Sequence, residues 1–159
     1  MLTLIEGEGA DRFYVMSLED FNPGTNYCWY DGAYGAISDY STVTSLNFGT
    51  GESNTAKMIA KWNSGAYGAK NDGSDPDIWG VIQEKVAEGW FVPSRGEWGA
   101  FGDNLKITSG NYEGYELYDT YWSSSLYDAS YAWYIGFSLE NMAGFYVTST
   151  NRIRLSITF

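Results

Sequence analysis

The two clearest strand signals in this chain are Ala132-Trp-Tyr-Ile-Gly-Phe-Ser-Leu139 and Arg152-Ile-Arg-Leu-Ser-Ile-Thr-Phe159. In both stretches apolar residues alternate with small or polar ones, which is the pattern of a strand with one buried face. The alternation predicts that the core-facing residues are Trp133, Ile135, Phe137, Leu139, Ile153, Leu155, Ile157 and Phe159. It predicts that the opposite face carries Tyr134, Gly136, Ser138, Arg152, Arg154, Ser156 and Thr158.

Upstream of these strands the sequence predicts another strand, a loop region and a helix. The apolar run over residues 12–17 indicates the strand. Residues 18–50 are rich in Gly, Ser, Asn and Tyr and show no helical periodicity, which is typical of loops. Ser53 or Asn54 can cap the helix that follows, and Gly65 lies near its end.

A second and a third helix are predicted further along. Asp75 can cap the second helix with Pro76 at its first position, and Gly89 closes it. Ser94 and Glu97 have the spacing of a capping box, which predicts the start of the third helix.

The order of strand, helices and strands predicts an α+β fold in which short helices pack on small antiparallel sheets. At 159 residues, with 44% hydrophobic and 18% aromatic content, the chain fits a single domain over residues 1–159. Nineteen glycines and many short apolar runs indicate a loop-rich domain rather than a helical bundle.

The residue inventory excludes several classes of function. The net charge is −11 with only nine Lys and Arg, so nucleic acid is not an expected partner. Without histidine, and with Cys28 as the single cysteine, the chain cannot build a Ser-His-Asp triad, a histidine zinc site or an internal disulfide. Cys28 is expected to be a small buried apolar residue. The sequence shows no membrane-spanning stretch and no signal peptide, and we expect no cofactor and no metal.

Residues 118–154 have the composition of a binding surface. Eight of the fourteen tyrosines lie between Tyr112 and Tyr146, mixed with Ser, Thr, Asn and Gly. Tyr supplies a large, stiff, amphipathic contact at low entropic cost, and the small polar residues supply adaptable hydrogen bonds. The segment is therefore predicted to bind a macromolecular ligand, either a protein or a surface glycan receptor.

Five short motifs in a fixed order resemble a known family. They are Gly49-Thr-Gly51-Glu-Ser-Asn54-Thr55, Gly89-Trp-Phe-Val-Pro93-Ser94-Arg-Gly-Glu97, Tyr121-Trp-Ser-Ser-Ser125, Ala132-Trp133 with Phe137, and Arg152-Ile-Arg154. From about residue 12 onwards the series resembles C-type-lectin-fold domains of bacterial and phage surface proteins, and most of all the variable proteins of diversity-generating retroelements. The resemblance implies a C-type-lectin-like fold, a place on a virion or cell surface, and a hypervariable receptor-binding segment over residues 118–154.

In that family the variable positions arise by adenine mutagenesis of Asn codons, which yields Tyr and small or polar residues but never Trp, Lys, Glu, Gln or Met. The resemblance therefore implies a fixed frame that includes Trp122, Trp133, Glu140 and Met142. It implies that the variable, ligand-binding positions are Tyr127, Asp128, Ser130, Tyr131, Tyr134, Gly136, Ser138, Asn141, Gly144, Tyr146, Thr148, Thr150 and Asn151. The tripeptide and the Trp-Asn-Asp run that hold calcium and sugar in animal C-type lectins are absent, so calcium-dependent sugar binding is not implied.

Two other functions remain open. One is an invariant phage-tail or cell-surface adhesin of the same fold, and the other is an enzyme of the formylglycine-generating or carbohydrate-active type. The first enzyme type needs a pair of cysteines, and the capping box accounts for Glu97, the candidate for a catalytic carboxylate pair. The loop over residues 71–77 offers oxygen ligands for calcium, but its spacing is not that of an EF-hand. Binding without turnover is the favoured interpretation.

Overall fold

The computed structural model of the protein describes residues 2–5, 12–118 and 120–159, so Asp119 of the predicted binding segment lies outside the described residues. The strands are β1 (Leu2–Ile5), β2 (Arg12–Met16), β3 (Tyr27–Cys28), β4 (Thr120–Leu126), β5 (Tyr131–Gly136), β6 (Asn141–Tyr146), β7 (Thr150–Asn151) and β8 (Ser156–Thr158). The α-helices are α1 (Tyr40–Val43), α2 (Gly51–Ser64), α3 (Ile78–Val81), α4 (Gln83–Ala87) and α5 (Arg95–Leu105). Short 3₁₀ helices lie at Asp31–Ala33 and Tyr112–Tyr115.

The strands form three small antiparallel sheets, with the orders β1-β2-β8, β3-β7 and β4-β5-β6. Strand β8 lies beside β2, and there Phe13 and Phe159 exchange backbone hydrogen bonds of 3.2 and 3.1 Å. Short helices connect these sheets, and helices α2 and α5 pack against the β4-β5-β6 sheet. The predicted α+β architecture of short helices on small antiparallel sheets is confirmed.

Helix α2 begins earlier than the sequence predicts. It starts at Gly51 with Thr50 at the N-cap position, and Gly65 ends it in the left-handed conformation at φ 67°. Asn54 is not the cap because its buried side chain is bonded to Ser45. The Asn54 Oδ1 accepts from the Ser45 N–H at 2.8 Å, and its Nδ2 donates to the Ser45 carbonyl at 2.8 Å. The Asn54 side chain, which the sequence predicts as a helix cap, therefore binds the backbone of Ser45 instead.

The second predicted helix begins only at Ile78 and is interrupted at Ile82. Asp75 is therefore not its cap, and Asp77 holds the N-cap position without a side-chain cap bond. The Asp77 carboxylate instead accepts three hydrogen bonds, donated by the backbone N–H groups of Asp31 (2.7 Å) and Asn71 (2.8 Å) and by the indole of Trp62 (2.9 Å). These partners from other segments fix the loop ahead of α3.

The capping box of α5 is present as predicted. The Ser94 Oγ accepts from the Glu97 N–H at 3.2 Å, and the Glu97 carboxylate accepts from the Ser94 N–H at 2.6 Å. The same carboxylate accepts from the Gly51 N–H at 3.3 Å, so one buried side chain serves the starts of both α2 and α5. A Cβ at Gly51 would collide with it, which explains the glycine.

The core lies on both faces of the β4-β5-β6 sheet. Tyr121 and Trp122 are neighbours in β4 and both are fully buried. Trp122 belongs to a large cluster with Trp29 and Trp79, whereas Tyr121 belongs to a second cluster with Trp98. Because successive side chains of a strand point to opposite faces, both faces are buried here, and alternation no longer separates core from surface.

This burial on two sides overturns part of the predicted facing of β5. The residues buried as predicted are Ile135 and Phe137. Gly136 is buried as well, although the alternation predicts the opposite. Trp133 is only partly buried and belongs to neither core cluster, whereas Tyr134 packs against the larger one. Leu139 lies beyond the end of the strand and is 70% exposed.

The last predicted strand is shorter than expected, because only Ser156–Thr158 pair as β8. The residues buried as predicted are Ile153 and Leu155. Phe159 is 74% exposed, which contradicts its predicted place in the core. Arg154 and Ser156 are buried, although the alternation predicts that they face away from the core. Arg154 tolerates burial because a carboxylate from a distant loop neutralises it.

Candidate ligand-binding site

The two ends of the predicted binding segment meet at one place in the fold. The Trp122 N–H donates to the Arg152 carbonyl at 3.0 Å, and Tyr121 and Arg152 form an isolated parallel bridge. The Arg152 guanidinium lies over the Tyr118 ring, 3.4 Å from its centre. These contacts hold the two ends of the segment together, and the β5-β6 hairpin extends from this point.

Asp20 connects the two ends of the segment through a buried network of ion pairs and hydrogen bonds. Its Oδ1 accepts from Nε and Nη2 of Arg154, at 3.0 and 2.7 Å, and from the Tyr121 hydroxyl at 2.7 Å. Its Oδ2 accepts from Arg152 at 2.9 Å. Only 2% of the Asp20 side chain and 1% of the Arg154 side chain are exposed. Burial, followed by the hydrogen bond to Asp20, raises the pKa of Tyr121, so its hydroxyl remains a neutral donor.

Sequence reasoning missed this network because its members are far apart in the chain. Asp20 and Arg154 are separated by 134 positions. The available signal is the pair Arg152 and Arg154 on either side of a buried isoleucine, since arginine is seldom buried without an anionic partner. That signal predicts a partner without saying which carboxylate supplies it.

Partly exposed aromatic side chains from the β5-β6 hairpin and from two neighbouring loops form a continuous row, named here the aromatic face. Its members are Tyr34, Tyr127, Tyr131, Trp133 and Tyr146, with Arg95 at one end. The ring centres are 5.6 Å apart from Tyr34 to Tyr146, 4.5 Å from Tyr146 to Tyr131, 6.4 Å from Tyr131 to Tyr127, and 5.0 Å from Tyr127 to Trp133. The Arg95 guanidinium lies 4.6 Å from the centre of a Trp133 ring.

Strand pairing places these rings side by side. Tyr131 and Trp133 are two positions apart in β5, so their side chains point to the same face. In the paired strand β6, Tyr146 lies opposite Tyr131 and Gly144 lies opposite Trp133. Residues that face each other across an antiparallel pair are close enough for their side chains to touch. Gly144 leaves room for a ring above the sheet, since a Cβ there would lie 3.1 Å from Cγ of Tyr127.

Tyr131 provides a neutral hydrogen-bonding group within the aromatic face. Hydrogen bonding to Tyr146, followed by burial, raises the pKa of Tyr131 to about 12. The Tyr131 hydroxyl therefore stays protonated at physiological pH and can both donate and accept. At the other end, Trp133 Nε1 and Arg95 Nε are shielded from water and have no hydrogen-bond partner among the described residues.

The structure brings together part of the predicted set of variable positions. Those within the aromatic face or directly beneath it are Tyr127, Tyr131, Gly144 and Tyr146. Those partly or fully exposed elsewhere on the segment are Asp128, Ser130, Tyr134, Ser138, Asn141, Thr148 and Thr150.

Two of the predicted variable positions, Gly136 and Asn151, are buried. Gly136 lies under Asn141, whose Oδ1 would be 2.9 Å from a Cβ added to the glycine. Asn151 is 5% exposed because it pairs with Tyr27 in the β3-β7 sheet. Backbone pairing and close approach therefore remove both positions from the surface.

Three members of the aromatic face lie outside the predicted set of binding positions. Trp133 is predicted as frame but is only partly buried and packs against Tyr127. Tyr34 comes from the loop before α1, and Arg95 comes from the first turn of α5. No pattern in the sequence around Tyr34, Arg95 or Trp133 predicts that these three residues lie in the same surface. The other predicted frame residues are Trp122, which is buried, Met142, which packs on the second core cluster, and Glu140, which is exposed.

Other candidate chemistry finds little support in the part of the chain that the structure describes. Among those residues no group of three or more His, Cys, Asp or Glu side chains is placed to hold a metal ion. Cys28 is buried as predicted, and burial, followed by the nearby carboxylate charges of Asp31, Asp77 and Asp75, raises the pKa of its thiol to about 12. None of the described helices combines the length and apolar character needed to cross a membrane.

No known family model matches this sequence, and no curated protein matches it either. Among solved structures, the fold is similar to that of a fimbrial protein from Bacteroides ovatus, with a TM-score of 0.56 and 15% sequence identity. The similarity covers 92% of this chain and 35% of the fimbrial chain. The chain therefore spans about a third of the length of that protein, and at this identity the similarity concerns the fold alone.

Proposed function

We propose that this protein is a binding module of a surface protein and that the aromatic face holds a macromolecular ligand. The observation that carries the proposal is the continuous row of aromatic rings, of which Tyr34, Tyr127 and Tyr146 are 56%, 53% and 40% exposed. Contiguous exposed surface of this kind marks interaction sites in soluble proteins. Tyr, Trp and Arg are also the residue types that contribute most to binding hot spots.

The rest of the fold supports a binding role by holding the aromatic face in place. Ordering a loose surface on binding costs affinity, whereas a surface that is already ordered avoids that cost. The Asp20 network fixes both ends of the segment, and core side chains cover both faces of β4. The fold similarity to a fimbrial protein is compatible with a surface adhesin.

The alanine variants Tyr127→Ala, Tyr131→Ala and Tyr146→Ala test the proposal. An array of purified surface proteins and glycans, probed with the tagged protein, supplies the ligand for a calorimetric titration. Each variant is expected to weaken binding by about 1–3 kcal/mol, because each removes a large ring from the centre of the contact. Tyr40→Ala is the matched control, since Tyr40 is 37% exposed and lies in α1. Equal losses in all four variants, or unchanged affinity in the three aromatic-face variants, would overturn the proposal.

A finer proposal is that a diversity-generating retroelement varies the exposed positions of residues 118–154. It is supported by the resemblance in motif order, by the partial or full exposure of most of the predicted positions, and by the burial of the predicted frame residue Trp122. The burial of Gly136 and Asn151 removes these two from the proposed variable set.

The DNA around the gene tests this finer proposal. We expect a template repeat that matches the codons from about Tyr121 to Arg154, with mismatches concentrated at template adenines. Sequencing the flanking region of several isolates is sufficient. A region without a template, or with mismatches spread evenly over the four bases, would instead favour an invariant adhesin with the same binding face.

A further inference from the structure

We propose that the outer edge of β6 is a strand-addition site, at which an extended, basic segment of a protein ligand pairs with the backbone of β6 as a fourth strand of the β4-β5-β6 sheet. The proposal rests on the proposed function, since it names the class of ligand and the way in which that ligand is held beside the aromatic face. It is carried by backbone groups of β6 that the described part of the chain leaves unpaired, and by a cavity on the same side of the sheet.

The hydrogen-bond pattern of the β5-β6 pair shows which backbone groups of β6 point outwards. The Val147 N–H donates to the Ser130 carbonyl at 3.0 Å, so these two residues form a hydrogen-bonded pair. Hydrogen-bonded and non-hydrogen-bonded pairs alternate along an antiparallel ladder. The β6 residues in non-hydrogen-bonded pairs therefore direct their N–H and C=O groups away from β5, and they are Met142, Gly144 and Tyr146. The Trp133 carbonyl agrees with this pattern, since it points to β4 and accepts from the Ser123 hydroxyl at 2.9 Å.

Most of these outward groups have no partner in the described ranges. The Tyr146 carbonyl accepts from the Ser149 N–H at 2.8 Å, in the turn that follows β6. Among the described residues, nothing hydrogen-bonds to the N–H and C=O groups of Met142 and Gly144 or to the N–H of Tyr146. The outer side of β6 therefore offers alternating donors and acceptors, which is what an added strand pairs with.

The opposite edge of the same sheet is covered by the chain itself. Acceptors there are the Arg152 and Pro93 carbonyls and the Thr44 hydroxyl, at 3.0, 2.8 and 2.9 Å, and the donors are the N–H groups of Trp122, Ser124 and Leu126. Proteins also block edge strands with bulges, prolines and charged residues. Strand β6, Asn141-Met-Ala-Gly-Phe-Tyr146, has no proline and no charge, and its six pairs with β5 are continuous.

A cavity and the aromatic face lie on the same side of β6, one near each end. The cavity measures about 210 Å³, and its lining includes Gly99, Ile107 and Met142. Small-molecule sites usually measure about 300–1,000 Å³, so this cavity is better matched to a single side chain. Met142 and Tyr146 share one face of the strand and are roughly 13 Å apart at about 3.3 Å per residue, so one short extended segment reaches both. In strand addition such pockets for alternate side chains supply the specificity.

Charge favours a basic foreign segment over a second copy of this chain. Each copy carries a net charge of −11, and like charges oppose self-association. Asp103 and Glu140 also line the cavity and add negative charge there. A lysine or arginine side chain suits it, because the apolar stem can lie along Ile107 and Met142 while the charged head remains in water. A glycan lacks the regular row of N–H and C=O groups that an edge strand pairs with.

The test combines amide hydrogen exchange, followed by NMR of the ¹⁵N-labelled protein, with short peptides selected on the protein from a phage-displayed random library. In the free protein the N–H groups of Ala143 and Phe145, which pair with β5, are expected to exchange slowly, and the outward N–H groups quickly. A saturating peptide, rich in Lys and Arg, is expected to slow exchange at Met142, Gly144 and Tyr146 at least about tenfold, which corresponds to about 1.4 kcal/mol. Unchanged exchange at these amides, or a library without an enriched peptide, would overturn the proposal. So would protection of the same amides by maltohexaose but by no peptide, which would indicate a glycan ligand.

Two further measurements test the backbone pairing itself. Only alternate N–H groups of an added strand face its partner, so methylating each peptide N–H in turn is expected to weaken binding at every second position. Met142→Pro removes an outward N–H and leaves the pairing with β5 in place, and Met142→Ala is the matched control that loses the same side chain but keeps the N–H. The proline variant is expected to bind the peptide roughly tenfold more weakly than the alanine variant. Equal affinities of the two variants, or a methylated series without alternation, would contradict strand addition.

The results also separate this proposal from the proposed function. If the tyrosine variants lose affinity for the macromolecular ligand while no peptide protects the outward β6 amides, strand addition fails and the proposed function stands. If peptides protect those amides while the tyrosine variants keep full affinity for the macromolecular ligand, the proposed function fails and the strand-addition site remains.

Discussion

Replacing Asp20 with alanine is expected to lower the free energy of unfolding by about 3–5 kcal/mol. The change leaves the buried guanidinium of Arg154 without its carboxylate and removes the acceptor of the Tyr121 hydroxyl. Removing one member of a buried ion pair costs more than the intact pair contributes, because the remaining charge keeps its desolvation penalty. Urea unfolding followed by tryptophan fluorescence measures the loss.

Glu88→Ala is the matched control for this prediction. Glu88 pairs with Lys85 at 2.7 Å, the same distance as from Asp20 to Arg154, but the two side chains are 55% and 46% exposed. An exposed pair contributes only about 0–1 kcal/mol, so the control is expected to remain close to the wild type. Similar losses in the two variants would show that the Asp20 network does not act as a buried anchor.

Trp122→Ala is expected to destabilise the protein by about 3–5 kcal/mol, because it empties a fully buried site between β4 and the larger core cluster. It also removes the hydrogen bond from the Trp122 indole to the Tyr27 carbonyl at 2.8 Å. Trp133→Ala is expected to cost only about 1–2 kcal/mol, since this ring is partly exposed and belongs to neither core cluster. Thermal and urea unfolding of both variants measures the difference.

The two variants are expected to affect ligand affinity in the opposite order, with the larger loss in Trp133→Ala. Trp133→Ala removes a ring of the aromatic face and the support for Arg95, so the folded variant is expected to bind more weakly. The Trp122 side chain lies inside the core, so whatever Trp122→Ala protein remains folded is expected to retain affinity. Equal loss of stability in the two variants would mean that Trp133 is a core residue, as the alternation predicts.

The sequence by itself determined those features of the protein whose signals are local. The capping box of Ser94 and Glu97 and the left-handed Gly65 depend on residues within one helical turn, and both are present in the structure. The α+β class follows in the same way from the order of short periodic segments. The richness in Tyr over residues 118–154 is a matter of composition, and the structure places Tyr127, Tyr131 and Tyr146 on one surface.

Only the tertiary structure decided which way the side chains point and which residues meet. Alternation along a strand identifies the core residues correctly when only one face is buried. Here side chains pack on both sides of the sheet, so Gly136 is buried against the prediction and Trp133 belongs to neither core cluster. The pairing of Asp20 with Arg154 links positions 134 residues apart. Attraction between opposite charges acts through space and leaves no mark on the spacing of residues in the chain, so this contact emerges only once the chain has folded.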